Sequence, residues 1–235
     1  VEATIAVREF ADGAYLMMAT KKGVVKKTAL SAYDTARKGG IRAIELDEDD
    51  SLINVELTDG EKTVMIGTHN GMAIRFDEQD VRPMGRVSRG VRGIKLREGD
   101  YVVGMRVCRE NADILTVSEK GFGKRTNVDE YKIQTRGGMG VLNYSISDKT
   151  GSVAGINMVD DNQDIMLITN DGTIIRMAAA DISRFGRVTR GVTLMRFNDD
   201  VKIVGIALTE HEDADAAENT ENAESPDNTQ ENSEN

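Results

Sequence analysis

Ile114-Leu115-Thr116-Val117-Ser118, then two charged residues, then Gly121-Phe122-Gly123-Lys124-Arg125-Thr126, reads as two short strands joined through a glycine turn. The pattern is not unique to this stretch. It recurs as Tyr15-Leu16-Met17-Met18-Ala19-Thr20 before Gly23, as Val64-Met65-Ile66-Gly67-Thr68 before Gly71, and as Ile165-Met166-Leu167-Ile168-Thr169 before Gly172. These glycines are 48, 50 and 51 residues apart. A second set, Gly40, Gly90, Gly140 and Gly191, is spaced by 50, 50 and 51, and each is followed by a β-branched residue: Ile41, Val91, Val141 and Val192. Two independent landmarks on one period make the chain an array of repeats.

Each repeat reads as four short strands. Two form the hairpin, and the hairpin glycine supplies the positive φ its turn needs. A third follows the second glycine, as in Gly93-Ile94-Lys95-Leu96. The fourth appears as Leu52-Ile53-Asn54-Val55, Val102-Val103-Gly104-Met105, Val153-Ala154-Gly155-Ile156 and Ile203-Val204-Gly205-Ile206. No long 3.6-residue apolar period is present, so the class is all-β, a propeller-like array of about four blades near 14–57, 62–107, 112–159 and 163–208. Thr4-Ile5-Ala6-Val7 matches the fourth-strand pattern. Residues 1–10 are therefore expected to end a preceding blade, with the protein continuing upstream; a domain-closing strand donated from the N-terminus is the alternative.

The chain has 235 residues, net charge −10, one cysteine, two histidines and no tryptophan. Cys108 alone excludes an internal disulfide framework, and no apolar run approaches the roughly 20 residues of a membrane helix. The charge is uneven. Residues 209–235 hold ten acids and no Lys or Arg, an acidic tail that cannot repay its ordering entropy and is expected to be disordered. The body, 1–208, holds 30 acids against 30 bases.

Within that neutral body the bases are placed by the repeat. Four residues after each hairpin glycine stands Lys27, Arg75, Arg125 or Arg176. The segments around the second glycine are free of acids: 82–97 carries Arg82, Arg86, Arg89, Arg92, Lys95 and Arg97, and 183–196 carries Arg184, Arg187, Arg190 and Arg196. Residues 35–42 add Arg37, Lys38 and Arg42, residues 132–142 add Lys132 and Arg136, and Lys124 precedes Arg125. Such a band suits a polyanion, with glycines letting backbone N–H groups approach phosphates. Scarce aromatics argue against single-strand stacking and for a duplex.

Ala19-Thr20-Lys21-Lys22-Gly23-Val24-Val25-Lys26-Lys27-Thr28, Ser88-Arg89-Gly90-Val91-Arg92-Gly93-Ile94-Lys95-Leu96 and the Gly121–Thr126 stretch resemble the DNA gyrase A C-terminal domain family, and the resemblance covers essentially all of 1–208. It implies a β-pinwheel, with strands exchanged between neighbouring blades, and a non-catalytic module that wraps duplex DNA to support ATP-dependent negative supercoiling by a type II topoisomerase. It implies further that ATP and Mg2+ act elsewhere, and that the partners are the rest of the gyrase A polypeptide and the gyrase B polypeptide, in a heterotetramer of two of each. The setting it implies is the bacterial cytoplasm, with no membrane. The family's basic heptapeptide Q-R-R-G-G-K-G is not intact here. Gln134-Thr135-Arg136-Gly137-Gly138-Met139-Gly140 keeps five of seven positions, and Ala36-Arg37-Lys38-Gly39-Gly40 is a fainter echo. A box in an upstream blade, and weak wrapping by this stretch alone, are the corresponding expectations. The corresponding C-terminal domain of topoisomerase IV and a protein-interaction platform are the alternative readings.

No catalytic or metal site is expected. Gly121-Phe122-Gly123-Lys124-Arg125 fails the Walker A spacing, and Asp47-Glu48-Asp49-Asp50 lacks the glycine and final glutamate of a calcium loop. Tyr33 and Tyr131 share a repeat position with Val81 and Ile182, which marks packing rather than a nucleophile.

Overall fold

A computed structural model describes residues 5–35, 39–198 and 200–211. In the first three hairpins the apolar runs of five or six residues become strands buried on both faces, because those sheets pack on their neighbours, whereas Ile174–Ala178 in the last hairpin is largely open. Blade 1 contains β1 (Tyr15–Thr20), β2 (Val24–Ala29) and β3 (Leu52–Thr58). Blade 2 follows with β4 (Thr63–Thr68) and β5 (Met72–Asp77); the two-residue β6 (Val91–Arg92) comes next in the chain, and then β7 (Val102–Val107) completes this hairpin's sheet. Blade 3 has β8 (Asp113–Ser118), β9 (Phe122–Asn127) and, after β10 (Val141–Leu142), β11 (Val153–Val159). Blade 4 has β12 (Gln163–Thr169), β13 (Ile174–Ala178) and, after β14 (Val192–Thr193), β15 (Ile203–Glu210).

The sheet orders are β3-β1-β2-β6, β10-β5-β4-β7, β11-β8-β9-β14 and β13-β12-β15. Each short strand therefore leaves its own repeat and pairs with the hairpin of the preceding blade: β6 on β2, β10 on β5, β14 on β9. This is the exchange that the family resemblance implies. Two details differ from the sequence expectation. The strand expected at 93–96 shrinks to Val91–Arg92, because Gly93 and Ile94 instead donate their N–H groups to the Gly23 carbonyl in the hairpin turn of blade 1. Residues 5–7 form no strand either; Ile5 packs on the cluster of Leu16, Met18, Leu30 and Ile44.

The long strands β3, β7, β11 and β15 lie at one edge of their sheets and pack successively on one another. They line the axis, and the exchanged strands fall on the opposite, outer edge. Cores sit between blades. Met17, Ala19 and Val25 of blade 1 pack with Ile66, Ile74 and Phe76 of blade 2, and Leu115 and Val117 of blade 3 with Ile165 and Leu167 of blade 4. Tyr131, Val81 and Ile182 are buried as expected of a packing position. No helix among the described residues is long and apolar enough to cross a membrane.

The second glycine of the repeat shows why exchange demands it. At Gly90, Gly140 and Gly191 φ is positive, and an added Cβ would collide with the carbonyl oxygen of Val25, Ala73 or Gly123 in the preceding blade. Gly40, at the same repeat position, has nothing within 4 Å of that point.

Candidate nucleic-acid interface

The acid-free segments around the second glycines lie at the outer edge, and a repeated pair of hydrogen bonds stitches each to the next. Arg86, Arg136 and Arg187 stand four residues before their glycines. Each extends its guanidinium to the carbonyl two residues past the previous glycine: Arg86 to Arg42 (3.3 Å), Arg136 to Arg92 (3.0 Å) and Arg187 to Leu142. In return the N–H groups of Glu45, Lys95 and Ser145 donate to the carbonyls of Ser88, Gly138 and Thr189. The loops thus form one hydrogen-bonded band. Within loops 2 and 4 the tip is braced locally, since Ser88 Oγ and Thr189 Oγ1 donate to the carbonyls of Gly85 and Gly186.

The band keeps its charge. Arg86, Arg136 and Arg187 bind carbonyl oxygens, which orient a guanidinium without neutralising it. Arg42, Arg92, Lys95 and Arg190 are exposed, as are Arg82, Arg97, Lys132 and Arg196, and none of them has an ion-pair partner among the described residues. Arg89 is different, because it meets Asp47 at 2.9 Å and Glu45 at 3.9 Å. All three side chains are half exposed or nearly so, and the pairing is therefore weak and exchangeable. Arg37 and Lys38 lie outside the described residues, as does the tail from 212.

The residues four past the hairpin glycine must be reassigned. Lys27 is 4% exposed, and its Nζ donates to the carbonyl of Glu78 at 2.7 Å, with the Glu78 carboxylate 3.7 Å away. Arg75 donates to the carbonyl of Val128 (2.9 Å), and Arg125 to that of Ala179 (2.7 Å). Glu78, Val128 and Ala179 each open the short 3-10 turn of the following blade. These cations are bolts between blades. Arg125, 1% exposed, is also paired with Asp113 and Asp161. Arg176 has no following blade to grip among the described residues and pairs with Asp164 at 2.7 Å, while donating to the Glu210 carbonyl. Burial and these partners remove Lys27, Arg75 and Arg125 from any solvent-facing track.

Lys124 belongs with them. It is fully buried, and its Nζ donates to the carbonyls of Gly186 (2.8 Å) and Arg187 (2.6 Å), directly beneath the tip of the fourth loop. Lys26, which sequence reasoning missed, holds the second loop in the same way through the carbonyls of Arg86 and Ala43. Burial, with the nearby Arg86 or Arg187 charge, lowers both lysines to about 8; for Lys124 the Glu130 carboxylate partly opposes the effect. Their signal in the sequence was position. Each lies three residues past a hairpin glycine, in blades 1 and 3, where blades 2 and 4 have Ile74 and Ile175.

A cavity of about 920 Å³ opens among the axial strands, lined in part by Glu56, Arg106, Asn157 and Arg109. Arg106 bridges Glu56 (3.3 Å) and Asn157 (2.7 Å) across it.

Residues 14–59, 62–109, 112–160 and 163–210 each match the family model described as DNA gyrase C-terminal domain, beta-propeller. The DNA gyrase A polypeptide of Clostridium acetobutylicum is 46% identical over 94% of the chain, which spans 27% of that relative. The crystal structure of the C-terminal domain of DNA topoisomerase IV superposes with a TM-score of 0.83 at 28% identity, over 93% of this chain and 70% of that one. The structure of a DNA gyrase A C-terminal domain superposes with a TM-score of 0.77 at 31% identity, over 85% and 67%. The chain therefore corresponds to about a quarter of the length of the curated relatives it matches.

Proposed function

The chain belongs to the DNA gyrase C-terminal domain family, and on that premise we propose that it bends duplex DNA along its outer edge as a non-catalytic part of a gyrase A polypeptide. The observation that carries this reading is the stitched band of loops, with Arg42, Arg92, Lys95 and Arg190 exposed and without ion-pair partners among the described residues. Counterion release on phosphate neutralisation supplies the affinity. Smooth bending costs on the order of 1–6 kcal/mol over 20–30 bp, so several blades must act together. A common hydrogen-bonded band lets them do so, because one loop's placement fixes the next.

In the intact enzyme the bent segment would be delivered to a cleavage gate formed by the rest of the A polypeptide, with ATP hydrolysis in the B polypeptide and action in the bacterial cytoplasm. Identities of 46% to a gyrase A polypeptide and 31% to a solved gyrase A C-terminal domain, against 28% to the topoisomerase IV domain, support gyrase.

The test is a charge-removing triple substitution, Arg92→Gln, Lys95→Gln and Arg190→Gln, on exposed sites. Duplex affinity should fall for all sequences alike, and the slope of log K against log salt should flatten by about 0.9 for each phosphate no longer neutralised. An unchanged slope, or weakening confined to one DNA sequence, overturns the reading.

A further inference from the structure

The second and fourth loops share the order Gly-Arg-Val-Ser/Thr-Arg-Gly-Val: Gly85-Arg86-Val87-Ser88-Arg89-Gly90-Val91 and Gly186-Arg187-Val188-Thr189-Arg190-Gly191-Val192. Their tips hold Val87 and Val188, 60% and 55% exposed. More than half of each residue's surface is open to solvent. They are nonetheless held in place, with the hydroxyl brace of Ser88 or Thr189 on one side and buried Lys26 or Lys124 beneath. An apolar group presented twice on a braced tip, between two arginines and in an acid-free loop, is not explained by phosphate binding.

We propose that Val87 and Val188 are contacts to the deoxyribose walls of the DNA minor groove, which rests on the reading of the band as a duplex-binding edge. The order of groups along each tip is cation, methyl, hydroxyl, cation. Across a minor groove about 6 Å wide the order is phosphate, sugar, sugar, phosphate. Valine suits the position because its branched side chain is stiff and loses little freedom on contact. Its methyl groups press on sugar C–H surface without asking for a base-specific partner, so the contact selects duplex DNA over other polyanions but reads no sequence. The third loop has Gly137 at the valine position and presents Met139, 45% exposed, two residues on; the grip thus alternates between braced valine tips and a glycine tip.

The experiment compares the parent chain with a Val87→Thr, Val188→Thr variant, which keeps shape and charge at exposed sites. Two ligands are titrated over a range of salt: duplex DNA, and heparin, a polyanion without a groove. The variant should bind duplex about tenfold more weakly, with an unchanged salt slope and unchanged heparin affinity. Hydroxyl-radical protection of the minor-groove sugars should disappear with it. Equal duplex affinity for parent and variant overturns the valine contact alone. An equal fall for heparin also overturns it, since that would mark a change in the loops as a whole. A parent chain that shows no salt-dependent duplex binding overturns the duplex reading and this inference together.

Discussion

Two sets of cations run through this molecule on the same period, one inside and one outside. Lys27, Arg75 and Arg125 sit on the second strand of their hairpins and reach across to the first carbonyl of the next blade's 3-10 turn. Arg86, Arg136 and Arg187 sit on the outer loops and reach back to the previous loop. Both sets repeat every 48–51 residues, and both end on a backbone carbonyl. The difference is what surrounds them. The inner set is enclosed by the blade-to-blade core, where a charge is tolerable only with partners close by. The outer set remains in water, with its charge available. A strict period therefore records that blades must be joined as faithfully as it records that a ligand is shared.

The contrast is broken most sharply at Arg125. Arg125→Met should cost about 1–3 kcal/mol, because the buried Ala179 carbonyl loses its donor and Asp113, itself 4% exposed, keeps only the exposed Arg184 at 2.7 Å. Urea denaturation would measure it, and the salt slope for DNA should stay where it was. A flattened slope with intact stability would return Arg125 to the outer set. Next in size is the pair Gly191→Ala and Gly40→Ala, two glycines of one repeat position with positive φ. Gly191→Ala should unseat β14 from β9, losing amide protection at Val192, because its Cβ would meet the Gly123 carbonyl. Gly40→Ala should cost only the left-handed backbone strain, about 1–2 kcal/mol, since its Cβ would meet nothing. Equal losses would mean that strand exchange does not require the glycine.

A pH dependence sharpens the comparison at its boundary. Lys26 and Lys124 are inner cations that hold outer loops, and burial lowers them to about 8 from 10.5. Between those values the unfolded chain keeps protons that the native chain has released, so stability should rise with pH across that window. The double variant Lys26→Met, Lys124→Met should lose that rise. Denaturation midpoints measured at intervals from pH 8 to 10.5 would show it, and a rise that survives the double substitution would assign it to other groups.

Much of the fold is legible in the sequence. Apolar runs separated by hairpin glycines mark the strands and the number of blades, and φ at Gly23, Gly71, Gly121 and Gly172 is indeed positive in each turn. The acid-free loops are legible too, and Arg92, Lys95 and Arg190 are exposed as such loops suggest. What misleads is treating every repeated base alike. Lys124 and Arg125 read as a basic pair, yet both are buried, because β9 lies between two sheets and both of its faces are covered. The clue lies in Asp113, twelve residues before Arg125, and in Asp164, twelve before Arg176. Only an antiparallel hairpin brings those positions into diagonal contact, with Asp113 opposite Asn127 and Arg125 opposite Leu115, and Asp164 opposite Ala178 and Arg176 opposite Met166.

From the order of its residues alone, the chain determined a β-repeat with hairpin turns at fixed glycines and acid-free loops once per repeat, because those features depend on local backbone preference and local charge. Tertiary structure decided which cations face water, which blade receives each short strand, and which loop each arginine grips. Those outcomes depend on contacts between residues some 44–63 positions apart, such as Arg86 with Arg42 and Lys124 with Arg187, and no local pattern encodes which of two equally spaced neighbours a side chain will meet.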